Sequence, residues 1–535
     1  MLFPQTELEL ANIVKQAGAL KCKVRVAGTG GSVDGIVQQK TETNVIVVSL
    51  AKLQIDAQWD GVLDETTQTV RINAGKTFID LMAVVRPKGY LLSSSTLGRY
   101  FTLGGVFMNP STHGATKGES FLANYIMGIR ALLSNGRYVV ITNRKELQYW
   151  RGSLGLLGIA VGLEIQLRKD TGILMQTSGI QVSIPPSLTE INTFLQTNVD
   201  NSDSAQFFFN FWNNTFIALT YSNNGDPFFN YSATAAYYQE LQQKYPDMAI
   251  NGLNPIPASF FQSLHLPSIE LAAAISDEAE TSLKETWLVG NTLGRDGFYE
   301  DFEIIKFYIV QKFIKCPIDC IQDGTVYQLL IGTYKIIFSD IEYQLPGLTF
   351  YPSLDIEFRF LDVTPENKNL MLLNPLSVGK YVSFEYECAQ GLMSFDDGYR
   401  LLFQRLERFW EQVGALGFSS HLGKGWGFDR MEGAPYPVPF QDPNLVYNYY
   451  NPQVKKEFAK YAKKVDKNGV FAAGDGLRLL GLAGAVDFEY RSLDGQTCQT
   501  NIDCITGCCC LNIPTCNATS PSSFMTCIDC QSALL

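Results

Sequence analysis

A short strand-like segment around residue 357 carries two side chains of opposite charge. In Leu354-Asp355-Ile356-Glu357-Phe358-Arg359-Phe360, the two-residue period of a strand places Glu357 and Arg359 on one face and apolar side chains on the other. A carboxylate beside a guanidinium can present an acceptor and several donors to a polyol or a lactone. From the spacing alone, an exposed ion pair on a sheet surface, which adds little stability, is the simpler interpretation.

A second candidate for chemistry is a glycine-rich turn near the start of the chain. Gly28-Thr29-Gly30-Gly31-Ser32 follows the strand-like run Val24-Arg25-Val26. Glycines allow positive φ and close backbone approach, so successive N–H groups can converge on a phosphate, and the Ser32 hydroxyl adds a donor. The spacing is not the G-x-G-x-x-G of a dinucleotide-binding βαβ unit, which argues against an NAD-dependent enzyme. Taken alone, such a turn is more often an ordinary β-turn.

Further motifs follow in order, each next to a predicted strand or helix. A strand-like run, Thr69–Gly75, leads into a helical pattern that contains Phe78, Leu81, Met82 and Val85. After it come Thr102-Leu103-Gly104-Gly105 and then Thr112-His113-Gly114. Ser153 to Ile159 then feeds a predicted strand. The order and spacing of these segments are more informative than any one of them.

Together, the four motifs resemble the FAD-binding domain of the vanillyl-alcohol oxidase superfamily, and the subgroup they resemble most is the aldonolactone and alditol oxidases. The resemblance implies that the glycine-rich turn wraps the pyrophosphate, that the second and third motifs run along the flavin, and that the fourth adds backbone contacts. The cofactor-binding residues it implies are Gly28, Thr29, Gly30, Gly31, Ser32, Thr102, Gly104, Gly105, Thr112, His113, Gly114, Gly158 and Ile159.

One position departs from the family pattern. Many members carry a histidine, joined covalently to the flavin, where this chain has Gly31. The resemblance therefore implies FAD held without a covalent bond. Because covalent attachment generally makes a flavin more oxidising, its absence leaves the redox poise and the oxygen reactivity open.

The same resemblance changes the interpretation of the segment around residue 357. Sugar-alcohol and aldonolactone enzymes carry an E-x-R strand that faces the flavin, which Glu357 and Arg359 match. Ser420-His421-Leu422-Gly423-Lys424 resembles their H-W-G-K motif, with Leu422 in place of tryptophan. The resemblance thus implies Glu357, Arg359, His421 and Lys424 as catalytic residues, with Lys424 near the reacting hydroxyl or the flavin edge.

The activity implied is oxidation of a CH–OH group of a sugar-derived aldonolactone or alditol by hydride transfer to FAD. Reoxidation by O₂ would give H₂O₂. Arg359 and Lys424 would polarise the substrate oxygen, Glu357 would orient Arg359, and Lys424 or an ordered water would carry the proton. Two alternatives are a flavin dehydrogenase that uses another electron acceptor and a non-catalytic carbohydrate-binding relative.

The composition of the chain limits which kinds of binding partner it can have. The chain has 535 residues, of which 46% are hydrophobic and 18% are charged, and its formal net charge is −11. An acidic chain is a poor candidate for binding nucleic acid or an anionic membrane surface. No run of about 20 apolar residues predicts a membrane span.

Cysteines crowd the end of the chain. Eight of the 12 lie after residue 497, which predicts a disulfide-rich tail in an oxidising compartment, and a metal site is the less favoured interpretation. The tail could bind another protein or a glycan. Sequons at Asn213, Asn230 and Asn517 agree with secretion. The start of the sequence shows no signal peptide. Because the tail and the sequons favour secretion, we expect that a signal peptide is missing from this sequence and not that the protein stays inside the cell.

The fold class predicted is α+β. We expect a two-subdomain PCMH-type FAD-binding domain (1–175), a substrate domain with a large antiparallel sheet and flanking helices (176–440), a segment packing back near the FAD domain (441–492) and the Cys-rich tail (493–535). Within the second domain, aromatic runs near 207–221 predict strands, and helical patterns are predicted for 234–244 and 301–315.

Overall fold

The computed structural model describes most of the chain outside the middle of the second predicted domain and the tail. The residues it describes are 1–30, 32, 37, 44–94, 96, 101–114, 121–171, 174–183, 186–211, 214–222, 306–339, 356–390, 397–424, 449–474, 480, 497–498, 508–512 and 525–529. Gly31, the three sequons and the helix predicted for 234–244 lie outside these ranges.

Helices and strands alternate without a simple repeat. In chain order they are α1 (Glu7–Ala19), β1 (Lys23–Val26), β2 (Val45–Val48), β3 (Val62–Asp64), β4 (Thr69–Asn73), α2 (Phe78–Val85), β5 (Tyr90–Leu91), α3 (Leu103–Phe107), β6 (Ile126–Leu132), β7 (Tyr138–Ile141), α4 (Arg144–Trp150), β8 (Ile159–Gln166), β9 (Arg168–Lys169), β10 (Leu174–Gln181), α5 (Leu188–Asp200), β11 (Ser204–Asn210), β12 (Thr215–Ser222), β13 (Lys306–Lys315), α6 (Thr325–Ser339), β14 (Ile356–Val363), α7 (Pro365–Lys368), β15 (Gly379–Gln390), α8 (Asp397–Val413), β16 (Phe418–Ser420), α9 (Pro452–Val465), β17 (Thr497–Cys498), β18 (Cys508–Asn512) and β19 (Met525–Asp529).

The first 170 residues form two small sheets and a larger one. Helix α1 begins at Thr6, whose hydroxyl accepts from the Glu9 N–H while the Glu9 carboxylate accepts from the Thr6 N–H, a complete capping box. Strands β1 and β2 pair in parallel, and β5 pairs with β9. The five-stranded antiparallel sheet has the order β3-β4-β8-β6-β7. The glycine-rich turn follows the end of β1.

The second large sheet has seven antiparallel strands in the order β10-β12-β11-β14-β15-β13-β16. One face packs under helices α5, α6 and α8, with a core rich in aromatic side chains such as Phe207, Phe358, Phe384 and Trp410. The opposite face carries Glu357 and Arg359. This sheet of antiparallel strands with helices on one face, together with the first part of the chain, gives a mixed helix and sheet fold.

The helix predicted for 301–315 is wrong, because residues 306–315 form strand β13. A strand that is buried on both faces loses the polar–apolar alternation that marks a half-buried strand. Here Gln311 points to one face, and Lys312, whose side chain is 1% exposed, points to the other. There the Lys312 ammonium lies 2.7 Å from Glu411 Oε1 and 3.2 Å from Glu407 Oε1. This buried polar cluster disrupted the sequence pattern.

The two large sheets meet through apolar and backbone contacts. A small cluster joins residues of the first part to the polar face of the second sheet; its members are Phe121, Ala123, Phe313, Leu361, Val363, Met371, Leu376 and Tyr381. The Leu372 N–H donates to the Gln148 carbonyl (2.8 Å), and Arg151 Nη1 donates to the Leu370 carbonyl (2.8 Å). These contacts fix the second sheet against the first part of the chain.

Residues after 449 return to the first part of the chain. In the turn Asp466-Lys467-Asn468-Gly469-Val470-Phe471, the Asp466 carboxylate accepts from the Val470 N–H (2.9 Å) and the Phe471 N–H (2.8 Å). The Val24 N–H donates to the Val470 carbonyl (2.8 Å). On helix α9, Tyr461 stacks on Tyr149 with ring centroids 4.2 Å apart. Val470 and Phe471 thus belong to the first core.

Cys22 is a free cysteine in the first part of the chain. Cys316 and Cys320 form a disulfide between the end of β13 and the segment before α6. In the tail, strands β17, β18 and β19 pair in the order β17-β19-β18. The disulfide knot expected for the tail stays a prediction, as do the domain boundaries.

Candidate functional site

Glu357 and Arg359 share the polar face of β14, but they are not an exposed pair. Their exposed fractions are 4% and 6%. Arg359 Nη2 contacts Glu357 Oε1, and the same oxygen accepts a 2.7 Å hydrogen bond from Gln206 Nε2 of β11. The two side chains are therefore not a surface ion pair. Burying two charges costs free energy, and only the close pairing of these charges offsets that cost.

A second carboxylate, Glu385, lies directly across from Glu357 in the β14–β15 register. Glu385 Oε1 accepts from Lys424 Nζ, and Glu385 Oε2 lies 3.7 Å from Arg359 Nη2. Sequence analysis missed this residue. The signal was present as strand alternation, since Val382, Phe384 and Tyr386 point to the core and leave Glu385 on the site face.

The four charges alternate in sign from Lys424 through Glu385 and Arg359 to Glu357. Burial raises the pKa of Glu357 above its ordinary value, although Arg359 lies beside it, and the negative charge of Glu385 contributes to the rise. Two carboxylates and two cations in one buried cluster are formally neutral. Such a cluster can accept and donate hydrogen bonds without leaving an unpaired charge.

Lys424 reaches the cluster because the preceding loop is docked on Ser111, the residue before the motif Thr112-His113-Gly114. The Leu422 N–H donates to Ser111 Oγ (2.8 Å), and the Ser111 hydroxyl donates to Asn109 Oδ1 (2.8 Å). The Leu422 side chain is fully buried in the first core, where the family pattern has a tryptophan. Leu422 thus anchors the loop in the first part of the chain rather than lining the site with a wide ring.

His113 and His421 lie together, with ring centroids 6.0 Å apart. Burial lowers the pKa of both well below the ordinary value, and the charges of Arg359 and Lys424 add to this effect. Both rings are therefore neutral near pH 7. His113, implied as a flavin contact, thus shares one site with the implied catalytic residues.

Their hydrogen bonds fix opposite tautomers. His113 Nδ1 lies 3.3 Å from the Ser111 carbonyl, which can only accept, so Nδ1 carries the proton and Nε2 keeps its lone pair. That Nε2 faces Gln311 Nε2 at 3.5 Å. His421 Nδ1 accepts from the Gly423 N–H (3.1 Å), so its Nε2 carries the proton. The site thus contains one imidazole acceptor and one imidazole donor.

The glycine-rich turn, the first of the implied cofactor motifs, lies on the surface of the protein. Gly28, Thr29, Gly30 and Ser32 are exposed. Gly30 has a φ of +84°, and a Cβ built on it would meet nothing within 4 Å. A Cβ on Gly28 would lie 2.3 Å from Thr102 Oγ1, so the first and second motifs are in direct contact. The turn is open to a ligand on one side and closed against Thr102 on the other.

Arg25 links the glycine-rich turn to the fourth motif. Arg25 Nη2 donates to the Leu154 carbonyl (2.7 Å), and Arg25 Nε donates to the Val37 carbonyl (3.2 Å). Gly158 packs so closely that a Cβ would lie 2.7 Å from the Leu132 carbonyl. Ile159 is buried in the first core, so only its backbone is left for a cofactor contact.

The second implied motif is partly open, since Gly105 is exposed and Thr102 and Gly104 are half-buried. The Thr102 hydroxyl caps α3 by accepting from the Gly105 N–H. The Gly104 N–H donates to the Ala74 carbonyl (2.8 Å). Thr112 and Gly114 are buried.

Two buried hydroxyl groups indicate that the first part of the chain is built around a ligand. Ser94 Oγ and Ser153 Oγ are buried, and neither has a hydrogen-bond partner among the described residues. Ser153 opens the fourth motif. Buried hydroxyls normally find a partner, and the phosphate and ribose oxygens of a dinucleotide would supply one. The open glycine turn and these two hydroxyls fit FAD.

In the described part of the chain, no group of three or more His, Cys, Asp or Glu side chains could hold a metal ion. No helix in the same ranges is long and apolar enough to cross a membrane.

Comparison with known proteins agrees with this cofactor. Residues 1–142 match the family model described as an FAD binding domain. Cholesterol oxidase from B. sterolicum is similar in structure, with a TM-score of 0.65 and 13% identity over 89% of this chain and 93% of that chain. A solvent-stable cholesterol oxidase has a TM-score of 0.60 and 13% identity over 89% of this chain and 94% of that one. A histidine-to-alanine variant of the Brevibacterium sterolicum enzyme has a TM-score of 0.62 and 12% identity over 89% and 93% of the two chains.

At these identities the structural likeness shows the fold. The chain is therefore a flavoprotein that binds FAD through an N-terminal FAD binding domain and has a mixed helix and sheet fold like that of cholesterol oxidase.

Proposed function

We propose that the protein is an FAD-dependent oxidoreductase that oxidises a CH–OH group of a small-molecule alcohol. The observation that supports this most is the buried cluster of Glu357, Arg359, Glu385 and Lys424, held against His113 of the flavin-associated motif. A neutral cluster of fixed donors and acceptors is suited to a substrate oxygen on which negative charge develops.

The residues of the chain have separate parts in this reaction. FAD supplies the hydride acceptor when it is bound. Arg359 and Lys424 donate hydrogen bonds to the substrate oxygen and stabilise its alkoxide character. Glu357, held by Gln206, orients Arg359 and accepts from a neighbouring substrate hydroxyl. The Nε2–H of His421 offers one more donor near the same oxygen.

For the substrate we propose a sugar-derived aldonolactone or alditol. Besides the charged cluster, the site face carries Gln206, Gln311 and Ser383, which suit a molecule with several hydroxyl groups. A second candidate is a bulky apolar alcohol. The fold likeness to cholesterol oxidase, which covers 89% of this chain, favours it. Anaerobic bleaching of the flavin by alditols, aldonolactones or a sterol separates the two.

The electron acceptor proposed is O₂, with H₂O₂ as its product. Oxygen consumption at the rate of substrate turnover supports an oxidase. Flavin reduction without oxygen consumption favours the dehydrogenase alternative. Sugar binding without flavin bleaching favours the non-catalytic carbohydrate-binding alternative.

The decisive experiment is anaerobic flavin reduction by the Arg359→Ala variant. We expect the rate to fall on the order of 100-fold or more, because a buried donor to the developing alkoxide is lost. Arg137→Ala, in the exposed hairpin between β6 and β7, is the matched control and should react like the wild type. An unchanged rate in Arg359→Ala with full FAD content would rule out the assignment.

We also propose that the protein is secreted or enters the secretory pathway. The disulfide between Cys316 and Cys320 supports this, since such bonds persist mainly in oxidising compartments. Mass measurement before and after glycosidase treatment of protein from a secretory host tests it through the sequons.

A further inference from the structure

Glu385 occupies a place in the site that the E-x-R and H-L-G-K motifs do not include. Its side chain is 1% exposed, and it lies between the two cations of the cluster. Lys424 bonds one carboxylate oxygen, and Arg359 Nη2 lies 3.7 Å from the other. Glu385 therefore touches both groups that the proposed function assigns to the substrate oxygen.

Lys424 is the more open member of the Lys424–Glu385 pair. The Lys424 side chain is 21% exposed, against 1% for Glu385. A ligand entering the site thus meets the ammonium group first and the carboxylate behind it. Glu385 can act on a substrate only through Lys424 or Arg359, which makes it a positioning residue.

We propose that Glu385 holds Lys424 in the site as an ammonium group, so that Lys424 donates a hydrogen bond to the substrate oxygen and does not accept its proton. This deepens the proposed function and rests on it. The hydroxyl proton then passes to a water molecule, and the C–H bonding pair leaves as hydride to FAD. No further oxidant or reductant is needed for these two transfers.

The physical reason is the low polarity of the site. A carboxylate in direct contact with an amine stabilises the charged ammonium, more strongly in a buried site than in water. An ammonium has three N–H donors and no lone pair, so it can stabilise an alkoxide but cannot take a proton. Arg359, His113 and His421 lie near Lys424 and contribute no negative charge. Glu357 is the other carboxylate of the cluster, and Arg359 and Gln206 both contact its Oε1.

The first test measures the charge on Lys424 without any substrate. The FAD-loaded protein is labelled with a trace of acetic anhydride between pH 7 and pH 10, and acetylation of Lys424 is followed by mass spectrometry. In Glu385→Gln we expect Lys424 to react about tenfold faster at pH 8, because its amino group loses the carboxylate that it contacts. Glu366→Gln, on the exposed helix α7, is the control and should leave the Lys424 rate unchanged.

The second test follows flavin reduction by an alcohol against pH. In Glu385→Gln we expect the rate to fall at alkaline pH, where the wild type still reacts. Glu385→Asp, which keeps the carboxylate, should restore much of the alkaline rate. A merely structural role would lower the rate equally at all pH values, and that result would overturn the proposal. FAD content is measured for each variant, and Glu385→Asp serves alone if Glu385→Gln does not fold.

The two tests separate this inference from the proposed function. If Lys424 labelling responds to Glu385→Gln but no alcohol bleaches the wild-type flavin, the proposed function is wrong and the substrate role of Lys424 falls with it. If an alcohol bleaches the flavin but Lys424 labelling is unchanged in Glu385→Gln, only the role given to Glu385 is wrong.

Discussion

Two neutral imidazoles lie beside two cations at the centre of the site. His113 and His421 are both buried, and protonating either would add a positive charge next to Arg359 and Lys424. Their tautomers are set by a carbonyl on one side and a backbone N–H on the other. As a result, the site offers a fixed donor and a fixed acceptor whose identity does not change near neutral pH.

The same burial makes stability depend on pH. The pKa of each histidine is well below the ordinary 6.5 in the folded protein, so below about pH 6.5 the unfolded chain binds protons first. The free energy of unfolding should therefore fall as the pH drops below 6.5, by up to about 1.4 kcal/mol per pH unit for each histidine. Denaturant unfolding at pH 5 and pH 7 measures this.

Asparagine variants show whether these two histidines are responsible. His113→Asn and His421→Asn keep a polar group able to meet the Ser111 carbonyl or the Gly423 N–H, but they remove the titrating ring. Each should reduce the pH dependence between pH 5 and pH 7. A dependence equal to that of the wild type in both variants would show that the histidines are not its source.

At the scale of single residues, the sequence predicts a functional residue where its type and its local spacing determine its chemistry. Glu357, Arg359 and Lys424 could be proposed from motifs that resemble a family, and the structure brings them together with His113 and His421. The alternation of β15 places Glu385 on the site face, but its pairing with Arg359 and Lys424 depends on the register between β14 and β15, which no local pattern encodes. The tautomers likewise depend on contacts that form only in the folded chain.

Among the elements, the loop at residues 421–424 makes the connection between the two parts of the site. It follows β16 of the second sheet, yet Leu422 packs in the first core and its N–H bonds Ser111. Lys424 is thereby placed relative to Ser111 in the first part of the chain and not only relative to its own sheet. Replacement of the family's tryptophan by leucine fits this role, because the side chain occupies a closed space.

The closed space around Leu422 leads to a prediction for tryptophan at this position. Leu422→Trp should destabilise the protein by about 1–3 kcal/mol, although tryptophan is usual at this position in the resembling enzymes, because a fully buried site cannot take the larger ring without strain. Denaturant unfolding measures the change. Leu416→Trp is the matched control, since Leu416 is 62% exposed. Equal stability of Leu422→Trp and the wild type would mean that the site has unused room.

Element prediction from the sequence succeeded for the aromatic runs near 207–221, which form β11 and β12. Strand β13 was predicted as helix because both of its faces are buried and both carry polar side chains, Gln311 toward the site and Lys312 toward α8. The Cys316–Cys320 bond was also missed, because two cysteines among twelve carry no pairing information.

At the scale of the whole molecule, distant parts of the chain meet beside the glycine-rich turn. Gly28 packs on Thr102, and Arg25 donates to the Leu154 carbonyl and to the Phe471 carbonyl (3.5 Å). The hydroxyls of Ser94 and Ser153, also in the first part of the chain, are buried without partners in the described ranges. FAD binding should therefore stabilise the entire first part of the chain, not only the turn.

This leads to a prediction about how FAD is held. Because glycine at position 31 has no side chain to form a covalent link, acid precipitation should release the flavin into the supernatant, and the stripped protein should melt at a lower temperature than the holoprotein. Ligand binding to the folded state at 1,000 times its Kd contributes about 4 kcal/mol, enough for a clear shift in Tm.

Absorbance spectra of the supernatant and the pellet, followed by melting with and without added FAD, make the measurement. Yellow supernatant together with a Tm restored by FAD is the expected result. Flavin that stays with the pellet would show a covalent link through another residue, so that Gly31 alone does not decide the mode of attachment. The flavin could instead be released, while adding FAD back leaves Tm unchanged. That result would mean that FAD is not the hydrogen-bond partner of Ser94 and Ser153. The buried hydroxyls would then need partners outside the described ranges.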